Sequence, residues 1–459
     1  MSFNKQIITL FDLDNAVSLI SDLPDAYWDC CHAASSLQGI VNRDAPHIYI
    51  KYVLNSLLNK NVDDYWFEKL TEPAAWLRNA RAETVTDIIE LVIKFRSNLN
   101  GAVVYDSNVP ATSNVASTIA GVENLLPIRY DVSPDSLYTK LIVNGPQLSV
   151  VKSLINKDGT SLFTGKGNIP ETDVSSSGSA KCDAYLWMKH FYIDTGICDS
   201  EWAGYYVDYF WKNSRQKAVH NHHCLTNHDF FISKKSFFFD LSPWGDEIPN
   251  DEPDQPVGTD LDTLKKLLLS AYNNRPEDKM LHIGGFVPWA YKYTTECECS
   301  HDPVSSEWEY GKVISAYNGF MDADAIGFGA MANASFYQHY PLEESYSQKW
   351  ISEDELEKQN KRSIINSKIN NQKNKDKNSD FNIEHLNTKR QFLIFYVGDY
   401  DCAAWLYQRI PDIWDDPNRG KIPMMWAISP VIAARAPMAM DYIRKTATEN
   451  DYFVAADNG

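Results

Sequence analysis

Along most of the chain, apolar residues fall in short runs separated by polar, turn-forming stretches. The runs at 101–105, 237–241, 280–286 and 392–396 are long enough for buried strands and too short for helices. Helical spacing appears between them. Residues 28–41 place Ala33, Ala34, Leu37 and Ile40 on one face, and 86–95 and 261–272 are further amphipathic stretches. Residues 112–120 predict a polar helix, and 180–192 and 202–211 predict aromatic-rich helices. A helix over 403–410 is expected to end at Pro411. Alternation of strand and helix predicts an α/β protein: small α/β N-terminal domains, then a (β/α)-barrel-like or parallel-sheet C-terminal domain. The expected divisions are 1–80, 81–149, a helical aromatic-rich part at 150–234, and 235–459. The last contains a low-complexity Asn/Lys/Ser-rich surface insertion at about 352–389, which has no apolar periodicity and is expected to be mobile.

The strongest chemical signal is at 392–430. Its apolar run stops at Val397-Gly398 and delivers Asp399, Tyr400 and Asp401. In an extended chain Asp399 and Asp401 share a face. Trp405, Trp414 and Trp426 crowd the same stretch. Two carboxylates at the carboxyl end of a buried strand, ringed by flat aromatic side chains, suit sugar chemistry. One acid delivers a proton and another acts as base or nucleophile. The competing reading is that Asp401 caps the next helix.

Asp322 and Asp324 have the same spacing and are second candidates for acid/base work. Glu307/Glu309 and Asp12/Asp14 show how readily that spacing arises; Glu307 and Glu309, at a helix start, read as structural. Asp240 and Trp244 after one strand, Trp289 and Lys292 after another, and Asn333 are candidate substrate contacts. Arg435 and Arg419 either clamp a carboxylate or pair with the many acids. His282, inside an apolar run, reads as a core histidine, and Gln38, Asn42 and Arg43 read as a helix end. His220, His222, His223, Cys224 and His228 are close in sequence, but their spacing matches no usual structural zinc site, and no metal or other cofactor is expected. The strand at 101–105 lacks a glycine fingerprint after it, so it offers no dinucleotide site.

Charge and composition narrow the classes. A net charge of −18 argues against a nucleic-acid partner. No apolar run approaches a membrane span, and no signal peptide is visible at the N-terminus. The eight cysteines show no disulfide spacing.

Several blocks together carry a resemblance: LQGIVNR, NHDFFISKKSFFFDLSPWGDEIPNDEPDQPVGTD, GFVPWAYKYT, MANASFY and GDYDCAAWLYQRIPDIWDDPNRGKIPMMWAISP. They resemble the GxGYxYP family of proposed glycoside hydrolases, with small N-terminal domains before a larger C-terminal one. The resemblance implies a carbohydrate substrate and an exported protein. The naming motif would begin at about Gly459, so the chain is expected to stop just before or within it, with the apolar strand at 452–455 left uncovered.

The expected function is a metal-free, carboxylate-driven glycoside hydrolase. The alternatives are a non-catalytic carbohydrate-binding protein, or a metal-dependent sugar deacetylase or phosphoesterase using Asp399, Asp401 and a histidine.

Overall fold

The computed structural model describes residues 7–13, 15–16, 24–52, 56–57, 60–145, 148–205, 227–246, 248–249, 251–285, 306–323, 333–342, 395–397 and 403–455. The N-terminal unit is built on β1 (Ile7–Asp12), β2 (Ile48–Lys51), a short antiparallel hairpin of β3 (Ser56–Leu57) and β4 (Lys60–Asn61), and β5 (Arg81–Val85). β1 lies between β2 and β5 and pairs in parallel with both. Helices α1 (Pro24–Val41), α2 (Val62–Thr71) and α3 (Ile88–Lys94) pack on this sheet. Polar caps start two of them. Asn61 accepts from the Asp63 and Asp64 N–H groups at 2.9 and 3.1 Å, and Asp87 from those of Ile89 and Glu90 at 2.6 and 3.0 Å.

A second parallel sheet has β6 (Gly101–Tyr105) between β7 (Leu125–Arg129) and β8 (Val150–Ser153). Every residue of β6 is buried, as expected of a strand covered on both faces. Helix α4 (Ala111–Glu123) links β6 to β7 and is itself buried on all sides, so its polar residues must find partners inside the protein. Asn114 donates to the Tyr185 hydroxyl at 2.9 Å, and Ser117 bonds His32 Nε2 at 2.8 Å. The Thr118 hydroxyl oxygen accepts from the Phe238 N–H at 3.1 Å.

That last bond closes the edge of the central sheet. Its elements are α5 (Ala180–Met188), β9 (Trp202–Tyr205), α6 (His228–Ser233), β10 (Phe237–Phe239), α7 (Thr259–Asn273), β11 (Leu281–Gly285), α8 (Ser306–Ser315) and β12 (Gly319–Ala323). The order is β10-β9-β11-β12, all parallel. Residues 202–205, expected in a helix, are instead an interior strand. Their period is two: Ala203 and Tyr205 enter the core beside Phe237, Phe239, Leu281 and Ile283, while Trp202 faces the other way, with its ring 5.2 Å from Phe230 and 4.6 Å from His282. The sheet thus takes strands from both sides of residue 234.

The C-terminal part holds α9 (Ala334–Tyr337), β13 (Tyr396–Val397), α10 (Ala403–Ile413), β14 (Met424–Ile428), α11 (Ile432–Arg435), α12 (Pro437–Lys445) and β15 (Asp451–Ala455). β14 pairs in parallel with β13 and β15. Pro411 does not end α10 but lies within it. Proline has no N–H for the carbonyl four residues back, and that carbonyl, Tyr407 O, is satisfied instead by the Trp66 indole N–H at 3.0 Å. β15 is an outer strand, with Tyr452, Phe453 and Val454 exposed. Among the described residues the parallel sheets are open. The low-complexity stretch lies outside the described residues.

Buried polar contacts join the first and last parts. The Asp63 carboxylate accepts from Tyr407 OH at 2.7 Å, and its carbonyl accepts from Tyr49 OH at 2.7 Å. The Tyr337 hydroxyl lies 2.6 Å from that of Tyr49 and 2.9 Å from that of Tyr407. Arg43 ends two helices at once, donating to Gly121 O of α4 at 2.6 Å and to Ser233 O of α6 at 3.1 Å.

Candidate functional site

The four strands of the central sheet run the same way, so their carboxyl ends share one edge, where α/β proteins place ligands. Asp240 directly follows β10 and Asp322 lies in β12 near its end. The register sets Asp322 level with Gly284, Gly204 and Phe238. Asp240 and Asp322 are therefore about three strand spacings apart, roughly 14 Å. That exceeds the separation of roughly 5–9.5 Å found in working glycosidase pairs. The two do not form a catalytic pair with each other.

Asp322 instead meets Arg435. Both side chains are fully buried, and Arg435 Nη2 donates to Asp322 Oδ2. The guanidinium lies 5.0 Å from the Phe231 ring centre. Gly284 makes room for this arrangement, because a Cβ there would strike the Phe231 ring and crowd the guanidinium. Arg435 ends α11, just past the carboxyl end of β14, so this pair brings the carboxyl ends of the C-terminal and central sheets together. Of the two readings open for Arg435, the structure shows pairing with an acid.

Asp240 is held by a different set. The Tyr185 hydroxyl donates to Asp240 Oδ1 and accepts from Asn114. Burial first, and then Asp240, keep the Tyr185 hydroxyl protonated, with its pKa well above the ordinary value. Next to it, Lys181 Nζ lies 3.0 Å from Asp251 Oδ1 and 2.8 Å from Asp260 Oδ2. Glu252 accepts from the Ala180 N–H at 2.7 Å and from the Ser179 hydroxyl, at the start of α5. The acids of the block from Asp240 to Asp260 thus bind that loop down over α5. Trp244 is buried in the same loop, with its backbone N–H donating to Ser242 Oγ at 3.1 Å. Tyr185, Lys181 and Asn114 were not candidates from the sequence.

Other candidates are used by the fold. Asn333 is buried, with Oδ1 accepting from Ile50 N–H and Gln38 Nε2, both at 2.6 Å, and Nδ2 donating to Ile50 O at 2.8 Å. This corrects its reading as a ligand contact: the side chain clamps β2, so its amide is spent inside the protein. Trp426 is likewise buried, and its Nε1 donates to Asp451 at 2.8 Å, beside the Arg419–Asp451 ion pair at the opposite, amino end of the C-terminal sheet. That replaces the expected substrate contact with a structural one. Arg419 also lies 4.1 Å from the Trp414 ring centre. His282, expected as a core histidine, is instead half-buried, with its ring 4.6 Å from that of Trp202 and 4.4 Å from that of Phe320, and burial and then Arg435 pull its pKa down to about 4. Asp399, Asp401, Asp324, Trp289 and Lys292 lie outside the described residues, as does the Trp405 side chain. No metal-binding group of three or more ligands occurs among the described residues.

His228 of the histidine-rich stretch is buried against Ser36 at 3.1 Å, and burial lowers its pKa to about 3. Burial raises that of the adjacent Asp229 to about 6. The two act oppositely on stability. Below about pH 6.5 the unfolded chain protonates this histidine and the native one does not until about pH 3, a loss of up to about 5 kcal/mol. Native Asp229 takes its proton from about pH 6 downward, before its unfolded counterpart, and returns up to about 3 kcal/mol. His228→Gln is expected to remove the first term, so the variant should become more stable relative to wild type as pH falls from 7 to 4.5. Urea unfolding at both pH values checks this, and equal pH dependence in the two proteins would refute it.

Residues 389–459 match the model of the "GxGYxYP putative glycoside hydrolase C-terminal domain". No curated protein matches the chain. A similar solved structure is "a putative hydrolase from Bacteroides thetaiotaomicron VPI-5482", at 15% identity and a TM-score of 0.56 over 99% of this chain. The chain spans 63% of that protein's length, and at this identity the likeness speaks for the fold alone. No helix among the described residues is long and apolar enough to cross a membrane. Asp399, Asp401, Trp426 and Arg435 all lie within this matched C-terminal segment.

Proposed function

We propose that the protein hydrolyses a glycan by carboxylate acid/base chemistry at the joined carboxyl edges of the central and C-terminal sheets. The Arg435–Asp322 pair is the observation that carries this reading, because it sets the family-matched domain against the edge that bears Asp240. In the reading, Asp399 and Asp401, which follow β13 in the sequence, supply one proton-transferring carboxylate. A second acid, drawn from Asp240 or Asp324, completes a pair across the sugar. Asp322 neutralises Arg435 and fixes its place rather than exchanging protons. Trp289, Lys292 and Trp405 remain candidate sugar contacts, and Trp244 supports the loop after β10.

Asp399→Asn is expected to lower hydrolysis of a responsive glycoside by about 10²–10⁴-fold while leaving its binding intact. A panel of aryl glycosides and oligosaccharides, assayed for wild type, Asp399→Asn and Asp401→Asn, tests this. Unchanged rates in both variants would sink the carboxylate reading. Binding without any turnover by wild type would favour a carbohydrate-binding protein, and loss of turnover on dialysis against a chelator would favour metal-dependent deacetylation.

A further inference from the structure

Helix α8 contributes Tyr310, Val313 and Ile314 to the core, with the Tyr310 ring 5.0 Å from that of Tyr205. Trp308 stands two residues before Tyr310, about 200° round the helix, and so on the far side. It is 73% exposed. Among the tryptophans whose side chains are described, every other one is buried or half-buried. The largest apolar side chain is thus left in water on a helix that had a core to offer.

Its height along the helix matters as much as its face. Helix α8 joins β11 to its parallel neighbour β12, so it runs back against the strands and begins at their carboxyl edge. Cα–Cβ bonds in a helix tilt toward the N-terminus. Trp308, the third residue of α8, therefore leans toward the edge where the proposed site lies. Lys312 follows one turn later on the same face, 65% exposed, and pairs with Glu309 at 2.7 Å. A flat indole takes the apolar C–H face of a pyranose, while an ammonium–carboxylate pair one turn away takes its hydroxyls.

We infer that Trp308 is the stacking platform of an outer subsite for a neutral glycan chain, at the rim of the carboxyl edge. The inference rests on the glycoside-hydrolase reading and adds to it a residue and a substrate class. The net charge of −18 disfavours polyuronates and sulfated glycans in the same place.

The test is affinity electrophoresis of wild type, Trp308→Ala and Trp308→Phe in gels containing β-glucan, xylan, galactomannan, xyloglucan or alginate. Wild type should be retarded by at least one neutral polymer and not by alginate. Trp308→Ala should bind that polymer about tenfold more weakly or worse, and Trp308→Phe should keep part of the affinity. Because the side chain is exposed, the melting temperature should not move. Equal retardation of wild type and Trp308→Ala overturns the proposal, as does no retardation of wild type by any neutral polymer, or retardation by alginate instead. Hydrolysis of short aryl glycosides, too small to reach the rim, is unaffected by Trp308→Ala on this proposal and reports separately on the catalytic reading.

Discussion

Replacing Arg435 by alanine is expected to lower folding stability by about 3–5 kcal/mol, because it takes from a fully buried carboxylate, Asp322, the cation it is paired with. Both members of the pair are fully buried, so salt and solvent screen little of the interaction. The arginine also fills space against Phe230 and Phe231, which adds a packing loss. The double variant Arg435→Met with Asp322→Leu removes both charges and keeps volume, and should recover most of the stability lost by the single one. Denaturant unfolding of the three proteins measures this. Recovery of stability without recovery of glycan hydrolysis would assign the pair to placing the C-terminal domain against the central sheet. A single variant within about 1 kcal/mol of wild type would mean that the pair is solvated, and would remove the contact on which the proposed site is built.

The sequence pattern predicted this fold where apolar runs were compact. FFFDL became β10, the run at 280–286 became β11, and the polar stretch after β6 became α4. It failed at 202–205, because four residues containing a glycine and two aromatics carry too little periodicity to choose between strand and helix. Only their position between β10 and β11 settles the matter. The side-chain roles were harder still. Asn333 reads as a candidate substrate contact, but its partner Ile50 lies 283 residues away. Tyr185 sits in an aromatic-rich helix, and nothing local marks it as the donor to Asp240, 55 residues on. Arg435 could be narrowed to a clamp or an ion pair from its charge. Choosing between them required Asp322, 113 residues away. Spacing reports the local geometry of a strand or helix, whereas these pairings are set by topology.

Lys181→Met tests the other charged cluster of the central edge, and its effect should depend on pH in a particular direction. In the wild type burial alone would drive the ammonium toward neutrality, but Asp251, Asp260 and Asp240 raise its pKa well above the ordinary lysine value. A raised lysine pKa adds stability that is fully present below the unfolded value of about 10.4 and is lost only as pH rises beyond it. Removing the ammonium takes from Asp251 and Asp260 the cation they share, at an expected penalty of about 3–5 kcal/mol near pH 8. Asp260 is already pushed upward by burial and by Asp251, with Lys181 opposing, so in the variant native Asp260 should take a proton before its unfolded counterpart. The penalty relative to wild type should therefore shrink as pH falls from 8 to 5. The loop from Asp240 to Asp260, no longer bound down at Lys181, should also be cut faster by protease at pH 8 than at pH 5. Urea unfolding and limited proteolysis at the two pH values measure both effects. A penalty that is the same at pH 5 and pH 8 would show that Asp260 stays ionised without Lys181, and that water, not the ammonium, holds this loop against α5.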